Sequence, residues 1–123
     1  MRVLLADDRP KTRFALRLLL ERQPGIQVVG EAADADELLV QAKVTYSNVV
    51  LLDWELPNLA IKGSLLSALR GVCPHLCVIA LSGRPETRMA ALAAGADAFV
   101  SKADPPERLL AAVRNAGTDG TNS

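Results

Sequence analysis

The sequence predicts an α/β domain built on a parallel β-sheet with helices on both faces. Short apolar runs alternate with longer amphipathic ones along the chain, and this order is typical of parallel strands joined by crossover helices. The run Asn48–Leu52 is apolar at every position after Asn48, as expected of a central strand buried on both faces. The length of 123 residues suits a single domain.

The first half of the chain contains two predicted strands, each followed by a helix. Arg2–Ala6 and Ile26–Glu31 are short aliphatic runs of strand length. Pro10–Gln23 is amphipathic; it begins with a proline, and Gly25 lies beyond its end. Asp34–Lys43 has an acidic first turn that complements the helix dipole.

The middle of the chain repeats this alternation. Asn48–Leu52 is the predicted third strand, Gly63–Val72 the third helix and Leu76–Leu81 the fourth strand. Cys73, His75 and Cys77 surround the start of that fourth strand. Three ligands do not complete a four-coordinate zinc site, so we expect ordinary loop and core positions there.

The last third of the chain closes the pattern. Pro85–Ala94 is an Ala-rich helix ended by Gly95, Ala98–Ser101 is the fifth strand, and Pro105–Ala116 is the last helix. The segment Gly117–Ser123 is rich in Gly, Thr, Asn and Ser. We therefore expect a domain over residues 1–116 and a flexible tail, or the start of a linker, over residues 117–123.

Composition excludes several classes of protein. Half of the residues are hydrophobic and 23% are charged, which favours a soluble, folded chain. The formal net charge is zero, which argues against a direct clamp on nucleic acid. No apolar run reaches the roughly 18 residues of a membrane helix, and we recognise no signal peptide. A cytoplasmic location is the expectation.

Chemically useful side chains follow four of the five predicted strands. Asp7 and Asp8 follow the first, Asp53 the third, Ser82 the fourth and Lys102 the fifth. The carboxyl ends of parallel strands meet at one edge of the sheet, where ligands bind in such folds. The sequence therefore predicts three carboxylates, a hydroxyl and an ammonium group at one site.

This set of groups suits phosphoryl transfer. Adjacent carboxylates repel one another unless a cation intervenes, and Mg²⁺ prefers carboxylate and phosphate oxygens. An aspartate can also act as a nucleophile and form an aspartyl phosphate. Lys102, the Ser82 hydroxyl and the Gly83 N–H could then bind the phosphoryl oxygens.

Four segments resemble the motifs of receiver domains from bacterial two-component response regulators. They are Val3–Asp8, Val49–Asp53, Ala80–Gly83 and Gly95–Lys102, and the resemblance extends from Arg2 to about Ala116. It implies a flavodoxin-like, CheY-like fold with strand order 2-1-3-4-5 and five helices. Two further segments, Ile26–Ala32 and Asp104–Leu110, resemble the subgroup that has a LuxR-type helix-turn-helix output domain.

The resemblance assigns the acidic residues to phosphorylation and metal binding. Asp53 would be the phosphorylation site, and the donor would be a phosphohistidine on a sensor histidine kinase. Asp8 would bind Mg²⁺ directly, Asp7 would bind it through water, and the backbone carbonyl of Glu55 would be a further ligand.

The same resemblance implies a phosphorylation-controlled switch. Lys102 would bind the phosphoryl group, Ser82 would move towards it, and Phe99 would be the aromatic residue that turns inward; Phe99 also suits an ordinary place in the core. The domain would catalyse only its own phosphorylation and dephosphorylation, rather than act as an enzyme on other substrates. It would control transcription through a DNA-binding domain outside these residues, with possible homodimer formation on the last helix, fourth helix and fifth strand, or on the first and last helices.

The sequence departs from the family pattern near the site. Pro57 is in place, but the glycine expected four residues later is Gly63, six residues later, so Asn58–Lys62 is a lengthened loop that could alter kinase docking or phosphoryl lifetime. Ala103 follows Lys102 where several branches have a proline, and a trans peptide bond is expected there.

Three side chains flank the predicted site. Glu55 and Arg84 each lie two residues beyond a site residue and should overhang it, either as an ion pair that limits hydrolysis or as two separately solvated charges. Trp54 is expected to be partly exposed. The arginines of the first helix, Arg13, Arg17 and Arg22, are expected to form a solvated face.

The sequence is also compatible with three other functions. A stand-alone receiver would signal through a partner protein, and the encoded length would separate it from a transcription factor. A pseudo-receiver would keep the fold without phosphorylation, which the complete set of Asp, Ser and Lys residues argues against. A small phosphatase-like enzyme would need a lid or second domain that the sequence lacks.

Overall fold

The computed structural model describes residues 1–57 and 62–119. The strands are β1 (Arg2–Ala6), β2 (Gln27–Ala32), β3 (Val49–Asp53), β4 (Cys77–Ser82) and β5 (Ala98–Ser101). The helices are α1 (Pro10–Glu21), α2 (Ala35–Thr45), α3 (Lys62–Val72), α4 (Arg88–Ala93) and α5 (Pro106–Asp119). Residues 58–61, in the lengthened Asn58–Lys62 loop, and residues 120–123 of the expected tail lie outside the described residues.

The five strands form one parallel sheet in the order β2-β1-β3-β4-β5. This confirms the predicted fold class and strand order. The chain runs outward from β1 to β2 and then returns across β1 to β3, so the strand order reverses between β1 and β3. Crevices at the carboxyl ends of the strands around such a reversal are the usual ligand sites of open α/β sheets.

Alternating residues of each strand pack into two separate cores. Leu4 and Ala6 face the core beneath α2, α3 and α4, whereas Val3 and Leu5 face the core beneath α1 and α5. The central strand β3 is buried along its full length. This burial on both faces explains its continuous apolar sequence.

The observed helix boundaries differ from the predicted ones at several points. α1 ends at Glu21 rather than Gln23, and the predicted fourth helix divides into a 3₁₀ turn, Pro85–Thr87, and the short α4. Gly95 follows α4 with a φ of 113°, a conformation that disfavours residues with a Cβ. α5 continues to Asp119, three residues beyond its predicted end. Across residues 1–57 and 62–119, the helices lack the combination of length and apolarity needed to span a bilayer.

Candidate functional site

Three carboxylates meet at the carboxyl ends of β1 and β3. Asp7 and Asp8 follow β1, and Asp53 is the last residue of β3. One carboxylate oxygen from each residue lies within 4.8 Å of those of the other two. Asp7 and Asp53 are buried, with 1% and 3% of their surface exposed, whereas Asp8 is exposed. The structure therefore brings together the acidic trio that the sequence predicted.

Lys102 provides positive charge beside two of these carboxylates. Its Nζ lies 3.2 Å from Asp7 Oδ2 and 3.5 Å from Asp53 Oδ2. The lysine backbone N–H donates to the Ser82 carbonyl oxygen at 2.8 Å, which ties the end of β5 to the end of β4. The peptide bond to Ala103 is trans, as expected.

The environment of Asp53 disfavours its ionised form. Burial raises the pKa of Asp53 above its ordinary value of 3.8, and the negative charge of Asp7 acts in the same direction. The Glu55 backbone N–H, which donates to Asp53 Oδ1 at 3.1 Å, and the Lys102 ammonium lower the pKa but do not cancel the effect of burial. A cation near Asp53 would therefore be bound more favourably than in a fully solvated cluster.

The Ser82 hydroxyl joins this site through Glu55. Ser82 Oγ donates to Glu55 Oε1 at 2.7 Å and accepts from the Arg84 backbone N–H at 3.0 Å. Within the described residues, the Glu55 carboxylate thus pairs with a hydroxyl and not with the Arg84 guanidinium. The ion-pair alternative between Glu55 and Arg84 is wrong for this conformation.

These side chains surround an open cleft of about 380 Å³. The lining contains both acidic and cationic groups, so an anion bridging to a bound cation would meet both kinds of charge. The lining residues are Asp8, Arg9, Asp53, Glu55, Gly83, Arg84 and Lys102.

Two aromatic residues considered in the sequence pack into or against a core. Phe99 is half-buried and packs against the core beneath α2, α3 and α4. Trp54 is only 3% exposed, so the expectation of partial exposure was wrong. Strand alternation carried one step beyond Asp53 places Trp54 on the same face as Val50 and Leu52, a signal that the sequence already contained.

The cysteines do not contribute a second metal site. Cys73 packs against the core beneath α2, α3 and α4, whereas Cys77 packs against the opposite core. Among the described residues, the acidic trio is the group of possible metal ligands that converges.

Three contacts near the acidic trio were missed from the sequence. Arg13 Nη1 donates to the Asp7 backbone oxygen at 2.6 Å, and its Nε donates to Glu31 Oε1 at 3.0 Å. Arg17 Nη1 donates to Glu31 Oε2. The expected solvated arginine face was therefore wrong for Arg13, whose side chain is 20% exposed, whereas the Arg17 side chain is 40% exposed.

The chain belongs to the response regulator receiver domain family. The family profile matches residues 3–114, a span that contains every predicted site residue. The fold, the strand order and the acidic trio with its lysine agree with that assignment.

Relatives place the chain near the LuxR-type subgroup of two-component response regulators. It is 36% identical to the nitrate/nitrite response regulator protein NarP of Escherichia coli K12 over 97% of this chain and 55% of NarP. It is 32% identical to NarL of the same strain over 93% of this chain and 53% of NarL. A crystal structure of a LuxR-family response regulator from Aurantimonas sp. SI85-9A1 superposes with a TM-score of 0.84 at 30% identity, covering 93% of this chain and 82% of that one. The chain spans about half the length of the curated relatives it matches.

Proposed function

We propose that the chain accepts a phosphoryl group on Asp53 and transmits its presence to an output domain. The observation that carries this proposal is the convergence of Asp7, Asp8 and Asp53 with Lys102, which lies 3.2 and 3.5 Å from two of the carboxylates. Membership of the receiver family supports the same function. The donor would be a phosphohistidine of a sensor histidine kinase.

The residues present fit a divalent metal ion. Hard carboxylate oxygens within 4.8 Å of one another match the ligand preference of Mg²⁺, which takes one or two carboxylates and keeps several waters. Asp8 would bind the ion directly, Asp7 through water, and Asp53 and the Glu55 carbonyl would complete the protein ligands. Bound Mg²⁺ would neutralise negative charge between the acidic trio and the incoming phosphoryl oxygens.

The transfer step needs little from the protein beyond position and charge. A carboxylate oxygen of Asp53 attacks phosphorus as the P–N bond of the phosphohistidine breaks, and the electron pair of that bond returns to the imidazole nitrogen. Lys102 moves from pairing with Asp7 and Asp53 to pairing with the transferred phosphoryl oxygens. The Gly83 N–H and the Ser82 hydroxyl lie at the end of β4 as neutral donors.

Release of Ser82 from Glu55 would couple phosphorylation to a conformational change. A phosphoryl group on Asp53 offers the Ser82 hydroxyl a competing acceptor and repels the Glu55 carboxylate. Ser82 would then move towards the phosphoryl group, and Phe99 would turn inward. Glu55 and Arg84, which line the cleft, would modulate the rates of phosphorylation and hydrolysis.

The output would be transcriptional. The relatives at 36% and 32% identity are response regulators about twice as long as this chain, and the similar Aurantimonas structure is of the LuxR family. DNA would be contacted through that output domain and not by this segment, whose net charge is zero. A cytoplasmic location accompanies this proposal, because such an output acts on chromosomal DNA.

Phosphorylation would also favour a homodimer. The proposed face includes α4, β5 and α5, and α4 carries Met89 at 76% exposure and Leu92 at 37% exposure. Burial of these side chains against a second copy would stabilise the phosphorylated form.

Mass spectrometry tests the phosphoryl acceptor. The purified domain is incubated with Mg²⁺ and acetyl phosphate or phosphoramidate, and the intact mass is followed over time. We expect a gain of one phosphoryl group in the wild type and in Asp36→Asn, which alters an exposed acid on α2. Asp53→Asn should show no gain. An adduct that persists in Asp53→Asn, or no adduct with any donor, would reject Asp53 as the acceptor.

A further inference from the structure

The contact between Arg13 and the Asp7 backbone has no part in the transfer step described above. Arg13 lies on α1 and reaches back to the end of β1, where Nη1 donates to the Asp7 carbonyl oxygen at 2.6 Å. Its side chain is only 20% exposed. One guanidinium therefore joins the helix, the acidic loop and, through Glu31, the end of β2.

This carbonyl belongs to the peptide unit that links Asp7 to Asp8. Because the peptide unit is planar, holding its oxygen restricts the direction in which the chain enters Asp8. Within residues 1–57 and 62–119, no protein hydrogen bond orients the Asp8 carboxylate. The position of this exposed ligand therefore depends on the backbone that Arg13 holds.

The chemistry of arginine suits this task. A guanidinium presents several donors in a rigid plane and can bond two acceptors at a fixed angle. Arg13 uses Nη1 for Asp7 and Nε for Glu31 Oε1. The Glu31 carboxylate also offsets the positive charge of Arg13, which would otherwise repel a cation bound at the acidic trio.

We propose that Arg13 is a positioning residue for the divalent-ion site, acting through the Asp7–Asp8 peptide. This inference rests on the proposed function, in which Mg²⁺ binds the acidic trio. Arg13 touches neither the ion nor the phosphoryl group. It fixes the backbone from which Asp8 reaches the ion.

The chain offers a matched control for this role. Arg17 lies one helical turn along α1 and also donates to Glu31. Arg17 does not contact Asp7 within the described residues. Arg13→Ala and Arg17→Ala therefore each remove a cation and a bond to Glu31, but only the first removes the bond to the Asp7 carbonyl.

Mg²⁺ titration of each variant, without any phosphoryl donor, tests the proposal. Binding is measured by calorimetry and by the fluorescence of Trp54, the single tryptophan of the chain. We expect Arg13→Ala to weaken Mg²⁺ binding by about tenfold, the lower end of the range for outer-shell partners of metal ligands. Arg17→Ala should remain within about twofold of the wild type.

The direction of the change in Mg²⁺ affinity distinguishes a positioning role of Arg13 from an effect of its charge. Removal of a nearby cation would by itself strengthen Mg²⁺ binding, so an unchanged or tighter Arg13→Ala variant overturns the proposal. Equal weakening in Arg13→Ala and Arg17→Ala also overturns it, because the shared bond to Glu31 would then account for the loss.

A second variant guards against a simple failure to fold. Arg13→Lys keeps the charge but cannot bond Asp7 and Glu31 with the same fork, and we expect a smaller weakening than in Arg13→Ala. Wild-type affinity in Arg13→Lys would overturn the proposal. A wild type that binds no Mg²⁺ would overturn the metal site together with this role, whereas normal wild-type binding with unaffected variants rejects the role of Arg13 alone.

Discussion

The strands of the sheet have an amino edge, where they begin, and a carboxyl edge, where they end. Polar side chains at these two edges differ in whether they have matched partners. At the amino edge, the Arg2 guanidinium donates to the Thr45 carbonyl oxygen at 2.8 Å. Asp97 Oδ2 there accepts from the Val78 backbone N–H at 2.8 Å and from Arg70 at 3.0 Å. Donors and acceptors are matched within the fold, so these side chains close the ends of helices and strands.

At the carboxyl edge, negative charge exceeds the positive charge beside it. Asp7 and Asp53 are buried, and Asp8 lies close to both. Among the described side chains, the cation that forms ion pairs with them is the Lys102 ammonium, at 3.2 and 3.5 Å. Burial makes such an imbalance unfavourable unless a further cation is bound. The polar groups of the amino edge are therefore satisfied within the folded chain, whereas the excess negative charge of the carboxyl edge favours binding of a cationic ligand.

The largest expected effect comes from removing the Lys102 ammonium group at the carboxyl edge. Lys102→Ala should slow phosphorylation by acetyl phosphate by about a hundredfold, because one preorganised group that stabilises the transferring phosphoryl oxygens is lost. The rate is measured by intact mass at fixed Mg²⁺ concentration. Lys43→Ala, on the exposed surface of α2, is the matched control, and equal rates in the two variants would contradict the role of Lys102.

A substitution at the amino edge should lower the stability of the domain and leave Mg²⁺ binding unchanged. Asp97→Ala removes bonds to Val78 and Arg70, and we expect the free energy of unfolding to fall by about 1 to 2 kcal/mol, since the side chain is partly solvated. Urea denaturation measures this change. Mg²⁺ affinity should stay at the wild-type value. A marked loss of that affinity would contradict the proposal that only the carboxyl edge takes part in metal binding.

At the carboxyl edge, removing a charged group should raise the stability of the metal-free domain. Because the pKa of Asp53 is raised in the fold, its ionised form destabilises the metal-free domain at neutral pH. That cost disappears as the pH falls and Asp53 is protonated in both folded and unfolded states. Without Mg²⁺, Asp53→Asn should therefore melt a few degrees higher than the wild type at pH 7. This gain should shrink as the pH falls from the raised pKa of the folded state towards the ordinary value of 3.8, and it should be absent below that value. A gain that is constant with pH would contradict the titration of Asp53 as its cause.

The smallest expected effect concerns Glu55 and Ser82. Glu55→Ala frees the Ser82 hydroxyl and removes a negative charge from the cleft, so phosphorylation by acetyl phosphate should be about threefold to fivefold faster. Glu55→Gln separates the charge from the hydrogen bond, and Glu86→Ala controls for an exposed acid. If Glu55→Ala accelerates the reaction equally in a Ser82→Ala background, Glu55 does not act through Ser82.

Many features of the fold and of the carboxyl edge could be predicted from local sequence. The strand β3 and its terminal Asp53 follow from an apolar run too short for a helix, and parallel strand ends place Asp7, Asp53 and Lys102 at one edge. Gly95 marks the end of α4 because its φ of 113° suits glycine. Such features depend on a few adjacent residues or on the rule that parallel strands share an edge.

The missed features depend on side chains that reach across the fold. The Arg13 bond to the Asp7 carbonyl joins a helix to backbone, and no residue pattern encodes a backbone acceptor. The Glu55 carboxylate bonds the Ser82 hydroxyl rather than the Arg84 guanidinium, and these residues follow different strands. The role that each site residue plays in phosphorylation stays a prediction until the variants are measured.

The separation of Asp7 and Lys102 by 95 positions in the chain has a consequence for synthesis. Asp7 follows β1 and Lys102 follows β5, so translation produces the acidic loop before the lysine that faces it. A nascent or truncated chain that lacks β5 therefore presents an acidic loop without its counter-charge. On the proposed function, acceptance of a phosphoryl group reports that translation has passed β5 and that the whole sheet has assembled, so incomplete chains are poor substrates for the donor.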